Sequence, residues 1–249
     1  MNETISVSII LPIKSSLARN FADYFDKAIK SILNQSLNPQ EVVIVHTQEE
    51  SLITFLNEFD FGGLNVVKLL WDKEPNYSNQ VNHGIKNAKG EWISIFEFDD
   101  EYSSIWFRNV KKYIDSYPEV KVFLPVCVDT DEKGAFAGFT NEATFAANFT
   151  QEMGYLTNET LQNYQNFQTA GSFIKKEVFD SFGGLKPSIK LTFVYDGTNF
   201  FLSEDSTVYS NTVLASYNLQ VINGVLNLVI TPSSSIAKTY NIKTAMMFN

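Results

Sequence analysis

The densest chemistry in the sequence is Glu97-Phe98-Asp99-Asp100-Glu101, four carboxylates in five residues. The run closes a short apolar stretch, Trp92 to Phe98, that reads as a strand in which Ile93 and Ile95 alternate with Ser94 and Phe96. Continued to the strand's end, that alternation puts Glu97 and Asp99 on one side. Two carboxylates so placed can share a hard divalent ion such as Mg2+ or Mn2+, which takes oxygen ligands and leaves positions open for a diphosphate. Crowding acids in this way costs energy unless a cation or a proton compensates. The same residues also read as a solvated acidic turn in which Asp100 caps the next helix. The motif alone leaves both readings open.

The elements that must carry these groups alternate from the start. Val7 to Leu11, stopped by Pro12, and Glu41 to His46 read as buried parallel strands. Between them Phe21, Tyr24, Phe25, Ala28, Ile29, Ile32 and Leu33 recur at helical spacing, with Asn20 as the cap. Leu52, Phe55, Leu56 and Phe59 mark a second helix stopped at Gly62-Gly63. Leu64 to Trp71 predicts a third strand, and Asn79 to Ala88 a third helix closed by Lys89-Gly90. Ser103 or Ser104 caps a helix through Ile105, Val110 and Ile114, and Val120 to Val128 predicts another strand. This order predicts an α/β fold: a Rossmann-like, mostly parallel sheet flanked by helices. Ligands of such sheets bind beyond the carboxyl ends of the strands. That singles out Pro12 to Ser16, His46 to Glu50, Trp71 to Tyr77 and Glu97 to Glu101.

The rest of the chain is less regular. Gly134 to Asn166 is polar, aromatic and weakly periodic, and predicts a long excursion. Order returns with a short strand, Ser172 to Ile174, and a helix, Lys176 to Phe182. Val208 to Ile230 is poor in charge and carries a hairpin signal at Asn223-Gly224, which predicts a small β-rich C-terminal extension. The expected division is a domain over 1–205 and a tail over 206–249, packed on the domain or extending it.

With 249 residues, 44% hydrophobic and 19% charged, the chain suits one large α/β domain plus an appendage. A net charge of -9 argues against binding nucleic-acid backbones, although a metal on carboxylates reverses the sign locally. The single cysteine, Cys127, excludes a disulfide within the chain and reads as a small core residue. The N-terminus lacks the look of a signal peptide, and no apolar run approaches the ~20 residues that cross a bilayer. The expectation is a cytoplasmic protein with no transmembrane segment; its oligomeric state is not legible.

Several segments, taken together, resemble the family 2 glycosyltransferases, which have the GT-A fold. Val7-Ser8-Ile9-Ile10-Leu11-Pro12 looks like that family's opening strand. Ala28-Ile29-Lys30-Ser31-Ile32-Leu33-Asn34-Gln35-Ser36, followed by Glu41-Val42-Val43-Ile44-Val45, is similar to its next segment. Asn82-His83-Gly84-Ile85-Lys86-Asn87-Ala88-Lys89-Gly90-Glu91-Trp92-Ile93 resembles its central helix and strand. Thr169-Ala170-Gly171-Ser172-Phe173-Ile174, Val178-Phe179 and Phe182-Gly183-Gly184-Leu185 are similar to its acceptor-side segment. The resemblance covers most of residues 7 to 196.

It implies transfer of a hexosyl or related group from a nucleotide diphosphate sugar to a glycan or another hydroxyl acceptor, usually with inversion, and a divalent cation, Mn2+ or Mg2+. By the same resemblance Asp99 is the expected metal ligand, with Glu97 beside it and Asp100 in reserve. Pro12 and Ile13 fall in the loop that packs on the donor's base and ribose, and Asn82 in the donor helix. Gly171 and Ser172 fall on the acceptor side. Asp196 fits the spacing of the general base, with Asp205 as the alternative. Three departures stand out. His46-Thr47-Gln48-Glu49-Glu50 replaces an acidic, Gly-containing turn, so His46 or Thr47 would have to meet the base. Val81 replaces an Arg before Asn82, which Lys73 or Lys86 would have to replace. Glu97 replaces the first Asp of the acid pair. These departures motivate an alternative, a degenerate, non-catalytic GT-A-like module that binds a glycan or a partner. A nucleotidyltransferase is disfavoured, because no Gly-rich basic phosphate loop follows the first strand.

Overall fold

The computed structural model describes residues 3–73, 75–131, 133–140 and 169–185, and beyond them the strands at 189–190, 193–195, 200–202, 207–208, 214–222, 225–232 and 240–244. The chain divides into two compact units, Met1–Leu185 and Lys186–Asn249.

The first unit runs β1 (Thr4–Ile13), α1 (Phe21–Leu33), β2 (Asn38–Thr47), α2 (Glu50–Glu58), β3 (Val66–Trp71), α3 (Tyr77–Asn87), β4 (Trp92–Ile95) and α4 (Trp106–Ser116). Then follow β5 (Val122–Phe123), β6 (Cys127–Thr130), β7 (Phe136–Thr140), β8 (Phe173–Lys175) and α5 (Lys176–Phe182). Six strands form one sheet in the order β3-β2-β1-β4-β8-β5. The first four are parallel; β8 runs antiparallel to both β4 and β5.

The central strands are covered on both sides, which is why they read as unbroken apolar runs rather than as alternating ones. Ile9, Leu11 and Ile13 join Phe21, Phe25, Leu52, Leu56 and Phe107 on one face. Ile10, Val43 and Val45 join Val81, Ile85 and Phe179 on the other. On the first face Phe25 meets Phe55 and Phe59 edge-on, with centroids 5.4 and 4.9 Å apart, an arrangement that adds to simple burial.

Local differences from the sequence reading have physical causes. β4 stops at Ile95, because a turn starts before Phe98. The predicted strand from Val120 to Val128 splits into β5, in the main sheet, and β6, which pairs with β7 in a separate hairpin. Pro125, which has no N–H to give a ladder, lies between the two. Asn20 precedes α1 in a left-handed conformation, and its side chain caps nothing. No side chain caps α4, which follows Ile105. Asn76 caps α3, accepting from the Asn79 N–H at 3.0 Å, so that helix starts two residues before the predicted Asn79. α2 ends at Glu58, and Gly62 and Gly63 lie past it with positive φ.

In the second unit, β9 (Ile189–Lys190) pairs with β12 (Thr207–Val208), and β10 (Phe193–Tyr195) with β11 (Phe200–Leu202). β13 (Leu214–Ile222), β14 (Val225–Pro232) and β15 (Tyr240–Thr244) form an antiparallel three-stranded sheet. Asn223-Gly224 lies outside the described residues, but the strands on either side of it pair as a hairpin. Most of the expected excursion over 134–166 also lies outside them.

Candidate active site

The site is assembled at the carboxyl edge of β1, β2 and β4, where a parallel sheet exposes its loops. Past Ile95 the Phe96 N–H still donates to the Ile10 carbonyl at 2.9 Å, and the chain then turns, with the Asp100 N–H reaching the Glu97 carbonyl at 3.3 Å. Aromatic rings pin this turn. Phe96 stacks on Tyr102 at 4.1 Å, Phe98 packs on Phe21 at 5.1 Å, and the Tyr102 and Ser94 hydroxyls are 2.7 Å apart. A hydrogen-bonded turn, not strand alternation, therefore gathers the acids. Glu97, Asp99 and Glu101 are exposed and Asp100 is half-buried.

Their electrostatics are those of uncompensated negative charge. Burial, and then the charges of Glu97, Asp99 and Asp129, push the Asp100 carboxyl up to about 6. Glu97 is also raised, by the desolvation of its carboxyl and by Asp99, against the opposing hydrogen bond from the Tyr77 hydroxyl. The Tyr77 hydroxyl is raised in turn by burial and by the charge of Glu97. Among the described residues no group of three or more His, Cys, Asp or Glu could hold a metal ion. The turn nevertheless offers a divalent cation a place, because neighbouring acids push up Glu97 and Asp100 and a cation would relieve that repulsion. Mg2+ and Mn2+ commonly take one or two carboxylates and complete their shell with water and phosphate oxygens.

Beside the turn opens a cavity of about 780 Å3, walled by residues of the turn, by Trp106, by residues 125–130 and Gly134, and by Ala170 and Gly171. Gly171 reaches it by bonding to the end of β4: its N–H donates to the Ile95 carbonyl at 2.9 Å, and its own carbonyl accepts from Trp106 Nε1 at 2.8 Å. Ser172 is fully buried, its hydroxyl donating to the Thr169 carbonyl at 2.6 Å. Cys127, expected in the core, is half-buried and lines the cavity, where burial and then Asp100 and Asp129 raise its thiol.

At the ends of β1 and β2, Pro12 pairs with Val45 and Ile13 with His46. His46 Nδ1 lies 3.0 Å from the Thr47 carbonyl oxygen, and the Thr47 hydroxyl donates to the Lys14 carbonyl at 2.7 Å. Two more side chains fix this edge, of which Gln80 lies outside the segments the sequence singled out. Gln80 of α3 is buried, and its amide donates to the carbonyls of Ile13 at 3.1 Å and Val45 at 3.3 Å. Burial works against the charge of Glu49, but the hydroxyls of Ser15, Ser16 and Ser51 and the Ser16 N–H hold its carboxyl down at about 2. Two serines in the loop after β1 and one in the first turn of α2 give no motif to find, and Gln80 shows only as a polar position on the inner face of α3.

Asn82 is placed on the same helix, and both its polar atoms bond the backbone of Leu185. Trp92 is a core residue, whereas Trp71 is half-buried with Lys73 over its ring at 5.6 Å. Asp196 and Asp205 lie outside the described residues.

The comparisons with known proteins agree with this architecture. The model of glycosyl transferase family 2 matches residues 8–182. No curated protein sequence matches the chain. Among solved structures, S. aureus TarS 1–349 in complex with UDP-GlcNAc is similar at 16% identity and a TM-score of 0.53, over 71% of this chain and 47% of that one. The same protein in complex with UDP gives 16% identity and a TM-score of 0.50, over 71% and 48%. The mannosyltransferase PcManGT from Pyrobaculum calidifontis, in complex with GDP-Man and Mn2+, gives 14% and 0.49, over 74% and 48%. The chain thus spans about half the length of the structures it matches. Among the described residues no helix is long and apolar enough to cross a membrane.

Proposed function

This chain belongs to glycosyl transferase family 2, and from that premise we propose that it transfers a sugar from a nucleoside diphosphate donor to an acceptor hydroxyl, with inversion and with the help of a divalent cation. One observation carries the reading: an acidic turn with unrelieved repulsion, pinned at the carboxyl edge of β4 and opening onto a cavity. Asp99, exposed at the apex, is the first ligand for Mn2+ or Mg2+, with Glu97 and Asp100 beside it. The bound cation neutralises charge that develops on the departing diphosphate. Pro12, Ile13, His46 and Thr47 form the floor under the base and ribose. Gln80 and Glu49 keep that floor rigid, and Asn82 keeps the donor helix in place. Gly171 lines the acceptor side, with Ser172 buried behind it.

The chemistry is one in-line displacement. A carboxylate takes the proton of the acceptor hydroxyl, and the freed oxygen attacks the anomeric carbon. The bond from that carbon to the diphosphate breaks, and its electron pair leaves with the nucleoside diphosphate. Asp196 is the first candidate for the base, on its spacing past Gly183-Gly184, and Asp205 the second.

The test is release of nucleoside diphosphate from a panel of nucleotide sugars with Mn2+, alongside calorimetry of nucleoside diphosphates with and without the ion. Metal-dependent binding and turnover, both lost in Asp99→Ala, are expected. Unchanged turnover in Asp99→Ala would refute that role. A complete absence of metal-dependent nucleotide binding would favour the non-catalytic module.

A further inference from the structure

The acceptor class is written in the charge of the cavity. The described residues that line it include four carboxylates, from Asp99, Asp100, Glu101 and Asp129, and no Lys, Arg or His. Asp129 comes from β6, opposite the acidic turn, so negative charge enters from two separate elements, and its field is felt at Asp100. In the sequence, residues 134–174 contain no Lys, Arg or His, and their charged residues are Glu142, Glu152 and Glu159. A divalent cation and the donor's diphosphate, once bound, roughly cancel each other's charge and leave the carboxylates of the wall uncompensated. Glu101 and Asp129 would still face whatever enters from the acceptor side.

The apolar part of the wall has its own preference. Trp106 is half-buried against Phe173, with its Nε1–H already used by Gly171, so it offers the cavity a ring and no free donor. β6 adds Val128, which lines the cavity and is 60% exposed. Rings and aliphatic side chains suit the C–H faces of pyranoses, and carboxylates accept hydrogen bonds from sugar hydroxyls. An acceptor bearing phosphate or carboxylate would find repulsion and, among the described residues that line the cavity, no cationic partner.

We propose that the acceptor is an uncharged carbohydrate, selected against phosphate- and uronate-bearing acceptors by the acidic wall that Glu101 and Asp129 complete. This rests on the transferase reading above and adds the substrate class to it. The repulsion amounts to a preference of about tenfold or more for each unit negative charge brought within several ångströms of the wall.

The experiment uses the full chain, Mn2+ and whichever nucleotide sugar it hydrolyses. Matched acceptors are compared: methyl hexopyranosides, their 6-phosphates and the corresponding uronates. The neutral acceptors should show kcat/KM at least tenfold higher, and added salt should narrow the gap by screening the wall. Asp129→Lys and, separately, Glu101→Lys should each shrink the ratio of neutral to phosphorylated acceptor severalfold. Two independent sites guard against one variant failing to fold. Equal or better use of a phosphorylated acceptor, or a ratio that ignores both substitutions, would overturn the inference. So would donor hydrolysis that no neutral sugar can intercept. Absence of donor hydrolysis with every nucleotide sugar is a different result: it removes the transferase reading, and this inference with it.

Discussion

The side-chain amide of Asn82 holds the backbone of Leu185 at both ends: Nδ2 donates to the carbonyl at 2.8 Å, and Oδ1 accepts from the N–H at 2.7 Å. The pair closes a separation of 103 residues. Gly183 ends α5 with φ 72°, Gly184 follows at φ 79°, and the Gly184 N–H returns to the Phe179 carbonyl at 2.9 Å. A Cβ on Gly184 would lie 2.4 Å from Asn82 Oδ1. Two glycines in left-handed conformation thus let the chain double back on α3 closely enough to be gripped.

Removing the grip should be measurable in thermal unfolding. Asn82→Leu keeps the branching of the side chain and leaves two half-buried backbone groups without partners, which costs about 2 kcal/mol and lowers Tm by about 4–8 °C. Gly184→Ala should cost a similar amount, part of it from the collision and part from the positive φ. In the background of Asn82→Ala the collision is gone, so Gly184→Ala should cost only about 1 kcal/mol there. Additive losses would show that the two residues do not meet.

Tyr77 gives a test that is chiefly electrostatic. Its hydroxyl hydrogen-bonds to Glu97, the first acid of the turn. Tyr77→Phe removes that bond and leaves the ring, which is 43% exposed. Loss of about 1 kcal/mol of organisation should weaken Mn2+-dependent binding of a nucleoside diphosphate about fivefold, with little change in Tm. Calorimetry with and without the ion separates this from a general loss of fold.

Glu49 predicts a pH dependence. Its carboxyl is held at about 2 against an ordinary 4.5. A carboxyl lowered by folding stabilises the fold at pH above its unfolded value, and that contribution fades as pH falls from 4.5 towards about 2. Glu49→Gln should therefore be less stable than the parent by about 1 kcal/mol at neutral pH, since water screens part of the network. The two should converge as pH falls through this window. Urea titrations at several pH values read the difference directly; a gap that stays constant down to pH ~2 would rule out the ionised network.

These contacts mark the boundary of what the residue pattern conveys. The buried parallel strands, α1 and the acidic turn were legible, because each depends on residues close in sequence: an apolar run, a helical spacing, a cluster of like charge. The exact end of β4 was not, because Glu97 and Asp99 continue a plausible alternation that only the packing of Phe96 and Phe98 interrupts. The use of Asn82, Gln80 and Glu49 was not either. Each binds across 33 to 103 residues to a backbone group or a serine hydroxyl (Glu49 also to nearby Ser51), and such partners leave no periodic trace. His46 and Thr47 were legible as polar residues at a strand end, while their bonds to the Thr47 and Lys14 carbonyls were not.

Gly90 closes the set at the opposite edge of the sheet. Its N–H donates to Ser8 Oγ at 2.8 Å, Ser8 Oγ donates to Glu41 Oε1 at 2.6 Å, and the Lys89 N–H reaches the same oxygen at 2.6 Å. This network joins β1, β2 and the entry to β4 at a point where all three are packed. A Cβ at Gly90 would stand 2.5 Å from the Ser8 backbone nitrogen and 2.8 Å from the Val7 carbonyl carbon. Neither atom can swing away as a side-chain tip could, because both belong to a central strand bonded on both sides. Gly90→Ala must therefore shift strands or abandon the network, and it should cost at least about 3 kcal/mol in urea unfolding. Ser8→Ala only removes the bridging hydroxyl, leaving the Gly90 N–H and one bond to Glu41 unmade, and should cost about 1–3 kcal/mol. The order Gly90→Ala worse than Ser8→Ala is the discriminating result. If Gly90→Ala were the milder change, the approach of Gly90 to β1 would have to be looser than 2.5 Å implies. Because the network lies at the amino edge, folded Ser8→Ala should keep the nucleotide affinity of the parent, whereas Tyr77→Phe should not.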